Sequence, residues 1–179
     1  MRALLGPIPR DKIILCSADA SPSAQRDSAH SAGYFFPRAP WVGAVRNYAE
    51  NLGCKFVILT TGHGLVGADD VISPYDVHIT DHPTEVAERW QATIPAVLNR
   101  DRNGLMLFYA GGCPRDSYID LSKPILRSLG ISLLSFGRPN MFDVDKIEGC
   151  VEMLAQGTSL AEIASILKHP DRLEFHFHL

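Results

Sequence analysis

The sequence predicts a single α/β domain whose mostly parallel central sheet of about four to five strands is flanked by helices on both faces. Three observations predict it. The length of 179 residues corresponds to one domain. A composition of 46% hydrophobic and 21% charged residues suits a chain with a buried core. Short apolar runs alternate along the chain with helical patterns, as in proteins with a parallel sheet. We therefore expect one domain over residues 1–179, with a C-terminal helical pair at about 143–168.

The first half of the chain contains two predicted strands and two predicted helices. An apolar β-branched run over residues 12–17 is the first strand, and it stops at a cluster of turn formers. After a long loop, Pro40 begins a helix that Gly53 ends. The second strand covers residues 55–60. A second long loop follows it and leads to a helix over residues 83–98 with an acidic first turn.

The second half continues the alternation. The remaining predicted elements are a strand over 104–109, a helix over 117–129, a strand over 131–135, and helices over 143–156 and 159–168. Residues 173–179 alternate in polarity, which is typical of either an edge strand or a mobile end. No internal repeat interrupts this order.

Charge and cysteine content limit the possible functions. With 17 Lys and Arg against 20 Asp and Glu, the net charge is −3, which argues against binding of nucleic acid through the overall charge of the protein. However, 12 of the 17 basic residues are Arg, whose planar fork suits phosphate and carboxylate; a compositional bias of the genome would give the same excess. The four cysteines lack zinc-ribbon spacing, so we expect reduced thiols.

Membrane and export signals are missing from the sequence. No window approaches the length of about 20 apolar residues that a bilayer requires, and the first residues lack the apolar stretch of a signal peptide. We therefore expect a soluble cytoplasmic protein with no membrane partner. The sequence leaves the oligomeric state open.

Polar residues follow the predicted strands, where ligands bind in open α/β sheets. Ser17 and Asp19 follow the first strand, residues 61–65 the second, residues 111–118 the third and Arg138 the fourth. Because the carboxyl ends of parallel strands meet at one edge of a sheet, we expect these segments to form a functional rim.

Three residues of these loops are candidate catalytic groups. His63, between two glycines, could act as a general acid or base, although a surface-loop histidine would look the same. Asp19 and Asp76 could each activate a water or stabilise a cationic sugar. The alternatives are an Asx turn at Asp19 and a loop brace at Asp76.

The segment 111–118 leads from a strand into a helix. Gly112 could approach a phosphate, Arg115 could bind one, and Tyr118 could stack on a base or pack in the core. Because no Lys-Ser/Thr pair follows the glycines, the segment is not a P-loop. Motifs for dinucleotide binding, serine hydrolysis and zinc proteolysis are missing as well, so we expect neither a cofactor nor a metal site.

Several short motifs resemble a known group of domains. Cys16-Ser17, Arg26-Asp27 with Ser31, Gly64-Leu65 and Pro74-Tyr75-Asp76 occur in the order found in small YaaA-like domains, which in turn resemble α/β domains of the uracil-DNA-glycosylase type. The resemblance covers about residues 12–120.

The resemblance implies action on nucleobases in DNA. It places functional residues at Ser17, Arg26, Ser31, His63, Gly64, Pro74, Tyr75, Asp76, Gly112 and Tyr118. Two lysines of the related domains are replaced here. One corresponds to Ala20 or Ser21, and the other to Gly62.

These observations lead to the hypothesis of a DNA glycosylase that removes a modified or damaged base in DNA repair or phage defence. Tyr75, Phe35 or Tyr118 would stack on a flipped base, Asp19 or Asp76 would act at the sugar, and His63 would assist the departing base. The arginines that would hold phosphates are Arg26, Arg38, Arg115 and Arg138. The alternatives are a non-catalytic DNA-binding or damage-sensing module and an N-glycosidase acting on free nucleosides or nucleotides.

Overall fold

A computed structural model of the protein describes residues 6–111, 114–136, 144, 146–159, 162–163 and 176–178. The strands are β1 (Ile13–Ala18), β2 (His30–Ser31), β3 (Lys55–Thr60), β4 (Gly64–Gly67), β5 (Val71–Ile72), β6 (Leu105–Tyr109), β7 (Ser132–Phe136) and β8 (His176–His178). The α-helices are α1 (Pro40–Leu52), α2 (Pro83–Leu98), α3 (Arg115–Ser128) and α4 (Lys146–Ala155).

The main sheet has the strand order β4-β3-β1-β6-β7-β8. Strands β3, β1, β6 and β7 are parallel, whereas β4 and the short β8 pair antiparallel at the two edges. The predicted fold class is thus confirmed: the protein is a single-domain α/β structure with a mostly parallel sheet.

Helices cover both faces of the sheet, as predicted. All six residues of β1 are buried, which is why this strand is a continuous apolar run rather than an alternating one. Ile14 and Cys16 pack in a core with residues of α2 and α3. Ile13 and Leu15 pack in the other core with residues of α1 and α4.

The segment predicted as a long loop after β3 contains an antiparallel strand. Residues 61–63 form a tight turn, and Gly64–Gly67 then pair back on β3 in the register Thr60↔Gly64 to Val57↔Gly67. Prediction of β4 from the sequence failed because four residues bounded by glycines show no recognisable alternation. The small two-stranded sheet of β2 and β5 was missed for the same reason, since each strand has two residues.

Other predicted elements agree with the structure within a few residues. The predicted helix over 117–129 begins earlier, at Arg115, and the tail contributes β8 as an edge strand. Most of the predicted helix over 159–168 lies outside the described residues. No described helix is long and apolar enough to cross a membrane.

Helix α2 fixes the hairpin formed by β3 and β4. The Trp90 indole donates a hydrogen bond to the Thr60 carbonyl at 2.8 Å, and the Arg89 guanidinium donates to the Thr61 carbonyl. The Leu65 amide donates to Thr93 Oγ1 at 3.0 Å. The turn is therefore held by one face of α2.

Gly64 provides a test of this packing. Its φ is +80°, and a Cβ there would overlap the side chain of Thr93, whereas Gly53 has a similar φ of +69° with no atom near an added Cβ. We expect Gly53→Ala to lower the free energy of unfolding by about 1 kcal/mol from backbone strain alone. Gly64→Ala should lower it by about 2–4 kcal/mol, because overpacking is added. Urea denaturation measures both, and equal losses would contradict the proposed packing of α2 on the hairpin.

Candidate functional site

A pocket of about 430 Å³ lies beyond the carboxyl end of β1, within the size range of small-molecule sites. It is formed by the segment after β1, the turn after β3, the segment after β5, the start of α3 and one residue of α1. The lining residues are Asp19, Ala20, Ser21, Pro22, Gln25, Trp41, Thr61, Tyr75, Val77, His78, Ile79, Thr80, Pro114 and Tyr118.

Asp19 is the polar centre of this pocket. It is only 4% exposed, yet its carboxyl group accepts hydrogen bonds from three directions. Oδ2 accepts from the Tyr75 hydroxyl at 2.6 Å and from the Thr61 amide at 2.9 Å. Oδ1 accepts from the Tyr118 hydroxyl. Because each carboxylate oxygen can accept two hydrogen bonds, Oδ1 retains capacity for one more donor.

Burial dominates the electrostatics of Asp19. Removal from water raises the pKa of this carboxyl above its ordinary value of 3.8, and the hydrogen bonds from Tyr118, Tyr75 and Thr61 offset part of the rise. The pKa of Tyr75 also lies well above its ordinary value of 10.0, because of burial and the neighbouring carboxyl. Tyr75 therefore stays a hydroxyl donor throughout the physiological pH range.

The Thr61 hydroxyl joins the turn to the segment after β5. It lies 2.6 Å from the Val77 carbonyl and 3.1 Å from Asp19 Oδ2. A hydroxyl has one proton, so the closer carbonyl is the preferred acceptor. The main-chain amide of Thr61, rather than its hydroxyl, is therefore the donor that this turn provides to Asp19.

Aromatic packing sets the direction of both tyrosine hydroxyls. The Tyr118 ring stacks on Phe108 of β6 with centroids 5.9 Å apart and contacts Trp90 of α2 at 5.2 Å. The Tyr75 ring lies directly over Gly62, where an added Cβ would overlap it. Each hydroxyl is thereby aimed at Asp19 by a ring that packing holds in place.

Three of the predicted site residues meet in this pocket: Asp19, Tyr75 and Tyr118. The Asp19 carboxyl is bound by both tyrosines, so it is neither an isolated Asx turn nor a surface charge. Of the two roles considered for Tyr118, the structure shows core packing of its ring, and its hydroxyl donates to Asp19 in the pocket.

The other two predicted catalytic residues lie outside the pocket lining. His63 packs edge-on against the Tyr75 ring at 5.3 Å, and its Nε2 is 2.8 Å from the Ser73 carbonyl. The Asp76 side chain is 77% exposed and lies 3.4 Å from Nε2 of His78, which does line the pocket. Each of these two residues therefore contacts a residue that lines the pocket, Tyr75 for His63 and His78 for Asp76, rather than the pocket itself.

The remaining predicted residues that the structure describes are not among those that line the pocket. Ser17 is buried, with its hydroxyl donating to the Ala18 carbonyl, and Phe35 is wholly buried in an apolar cluster, so its ring is not free to stack on a base. Arg26 and Ser31 bond within their own loop, Gly64 packs on Thr93, and Arg115 at the start of α3 lies 3.6 Å from Asp116. Gly112 and Arg138 lie outside the described residues.

Sequence reasoning missed Gln25, Trp41 and His78 as pocket residues. Gln25 lies in a loop that folds back over the end of β1, and its Oε1 accepts a hydrogen bond from the Tyr75 amide at 3.0 Å. Trp41 belongs to the first turn of α1. No local pattern identifies such residues, because only the packing of distant segments brings them to the pocket.

A metal centre was not expected from the sequence. Among the residues that the structure describes, no group of three or more His, Cys, Asp or Glu side chains could hold a metal ion.

The fold and the pocket define a single-domain α/β protein with a buried, hydrogen-bonded carboxyl at the carboxyl ends of a mostly parallel sheet. The chain belongs to DUF6884, a family of unknown function whose model matches residues 14–133. The matched range contains Asp19, Tyr75 and Tyr118. No curated protein and no solved structure matches the chain.

Loss of the Tyr75 hydrogen bond should change the titration of Asp19. Because that bond lowers the carboxyl pKa, we expect Tyr75→Phe to raise the pKa of Asp19 further. Gly62→Ala should do the same by displacing the ring. Carboxyl ¹³C NMR titration measures this, with the exposed Tyr34→Phe as the control. An unchanged Asp19 pKa in both variants would contradict the role given to Tyr75.

The raised pKa of Asp19 also predicts a pH dependence of stability. The folded protein holds the proton of Asp19 more tightly than the unfolded chain does, and this stabilises the fold. The stabilisation is fully present below pH 3.8 and is lost as the pH rises through the raised pKa of the folded state. Asp19→Asn does not titrate. We therefore expect the free energy of unfolding of this variant, relative to wild type, to increase over that pH interval. Urea denaturation at several pH values tests this, and a difference that is constant or changes in the opposite direction would contradict a raised pKa.

Proposed function

We propose that the protein is an N-glycosylase that hydrolyses the bond between a nucleobase and its sugar, with DNA as the substrate. The observation that carries the proposal is the composition of the pocket wall. Among the lining residues that the structure describes, Asp19 is the only one with a carboxyl group, and none is Lys or Arg. Three of them are Trp or Tyr: Trp41, Tyr75 and Tyr118.

A carboxylate in such a wall suits a cationic transition state. Breaking the bond between sugar and base leaves positive charge on the sugar, and a fixed negative group stabilises that charge most strongly where water is excluded. The partly buried rings of Trp41 and Tyr75 supply surfaces for the faces of a base, whereas the Tyr118 ring is packed in the core. A pocket built for an anionic centre would instead be expected to contain Arg or Lys.

The reaction balances with Asp19, the substrate and one water molecule. The bond between C1′ and the base nitrogen breaks with its electron pair on the base, while ionised Asp19 faces the sugar cation. A water bound at Oδ1, which retains acceptor capacity, adds its oxygen to C1′ and gives up one proton. The departing base takes up one proton, so the products are a free base and a sugar hydroxyl at C1′.

The peripheral residues act on this centre by positioning. His63 supports the ring of Tyr75, and Tyr75 in turn donates to Asp19. Asp76 lies beside His78 of the lining. We therefore assign the direct chemistry to Asp19 and positioning roles to His63 and Asp76.

Arginines next to the pocket wall support a DNA substrate. Arg38 donates to the Ser23 carbonyl at 2.8 Å and Arg26 to the Tyr34 carbonyl at 2.8 Å, so both border the segment that contains Gln25. Neither forms an ion pair with a described residue, which leaves their charge available to phosphates.

A free nucleoside is the second candidate substrate. The net charge of −3 and the 77% exposed Asp76 near His78 disfavour a polyanion at this side of the pocket. A nucleoside without phosphates would not experience that repulsion.

An assay of base release tests the proposal. We expect free base and abasic sites from DNA that contains modified or damaged bases, and a rate at least about 100-fold lower in Asp19→Asn. Asp116→Asn removes an exposed carboxylate outside the pocket lining and should leave the rate unchanged.

Each alternative has its own outcome in the same assay. Release of the base from free nucleosides but not from DNA would favour a free nucleoside as the substrate. Salt-dependent DNA binding that survives Asp19→Asn, with no base released from any substrate, would overturn the proposal and indicate a non-catalytic binding module.

A further inference from the structure

Two hydrogen-bond donors in the pocket wall have no partner among the residues that the structure describes. Gln25 is 5% exposed, and its Nε2 forms no hydrogen bond with any described residue. The Nε1 of Trp41 is likewise buried and unpaired. Both residues line the pocket that contains Asp19. A buried donor without an acceptor has lost its hydrogen bond to water and gained none in return, so native proteins rarely leave two such donors in one pocket wall.

The orientation of the Gln25 amide follows from its neighbour. The main-chain N–H of Tyr75 lies 3.0 Å from Oε1 and is a donor, so the atom facing it must be the amide oxygen. The other end of the amide is therefore the NH₂ group. Gln25 is held at its oxygen by the same residue that donates to Asp19, and its nitrogen remains for another partner.

Trp41 adds a second donor, its indole N–H. A Cβ at Gly111 would lie 2.6 Å from the indole nitrogen, so this glycine allows the ring edge to approach the chain after β6. Indole nitrogen can only donate a hydrogen bond. A ligand that completes this wall must consequently present acceptor atoms.

We propose that Gln25 is a specificity-determining residue whose amide nitrogen donates to a carbonyl oxygen of the bound base. The inference rests on the proposed function for its ligand class and deepens it. It predicts that the pocket prefers oxo bases to their amino counterparts. An amino group at the same position would place donor against donor and leave Gln25 unpaired.

Binding of free bases tests this without requiring catalysis. Isothermal titration calorimetry on the full chain would compare hypoxanthine with adenine and uracil with cytosine, pairs in which an oxo group replaces an amino group. We expect the oxo base to bind about tenfold more tightly in at least one pair. Equal affinities within both pairs, or no binding of any of the four bases, would overturn the inference.

Variants at Gln25 identify the donor. Gln25→Glu keeps an oxygen for the Tyr75 amide and replaces the NH₂ group by an acceptor, and it should abolish the preference. Gln25→Met has a similar length and no donor, so it provides a second test with the same expected loss. Gln91→Glu makes the same change at an exposed position of α2 and should leave the preference intact. A preference that survives both Gln25 variants would overturn the inference.

The two proposals fail in different ways. If the protein releases bases from DNA but substitution of Gln25 does not change its preference among free bases, the proposed function stands and this inference is overturned. Oxo-base binding that depends on Gln25, with no base release from any substrate, would overturn the proposed function and support the recognition site.

Discussion

The buried carboxyl of Asp19 is the constraint on which the pocket depends. A carboxyl that is 4% exposed is costly to ionise unless donors surround it. The donors come from three separate parts of the chain: the turn after β3 provides the Thr61 amide, the segment after β5 provides Tyr75, and α3 provides Tyr118. Binding one carboxyl therefore fixes the mutual position of three segments, and the space left between them is the pocket.

The rest of the fold supplies the rigidity that this arrangement needs. Helix α2 binds both carbonyls at the end of the hairpin through Trp90 and Arg89, and the Trp90 ring also contacts Tyr118. The same helix thus supports two of the three donors to Asp19. Such rigidity has chemical value, because an electrostatic site acts most strongly when its groups need no rearrangement during the reaction.

Gly62 connects this geometry to the sequence motif. The Tyr75 ring occupies the space above Gly62. A larger side chain at position 62 and the present position of Tyr75 exclude each other. The glycine is therefore part of how Tyr75 reaches Asp19, and the proposed chemistry rests on the carboxyl and the tyrosines. Gln25 and Trp41 add two unpaired donors to the same pocket wall.

The sequence by itself determined the α/β class, the parallel strands and the approach of Asp19 and Tyr118 to one edge of the sheet. These features follow from local periodicity and from the rule that parallel strands share a carboxyl edge. Only the tertiary structure decided that His63 and Asp76 lie outside the pocket, that Phe35 is core, and that Gln25 and Trp41 line the wall. The physical reason is that strands and helices form from short-range sequence patterns. The path of a loop depends instead on contacts between residues far apart in the sequence, such as the hydrogen bonds that the buried Asp19 carboxyl accepts.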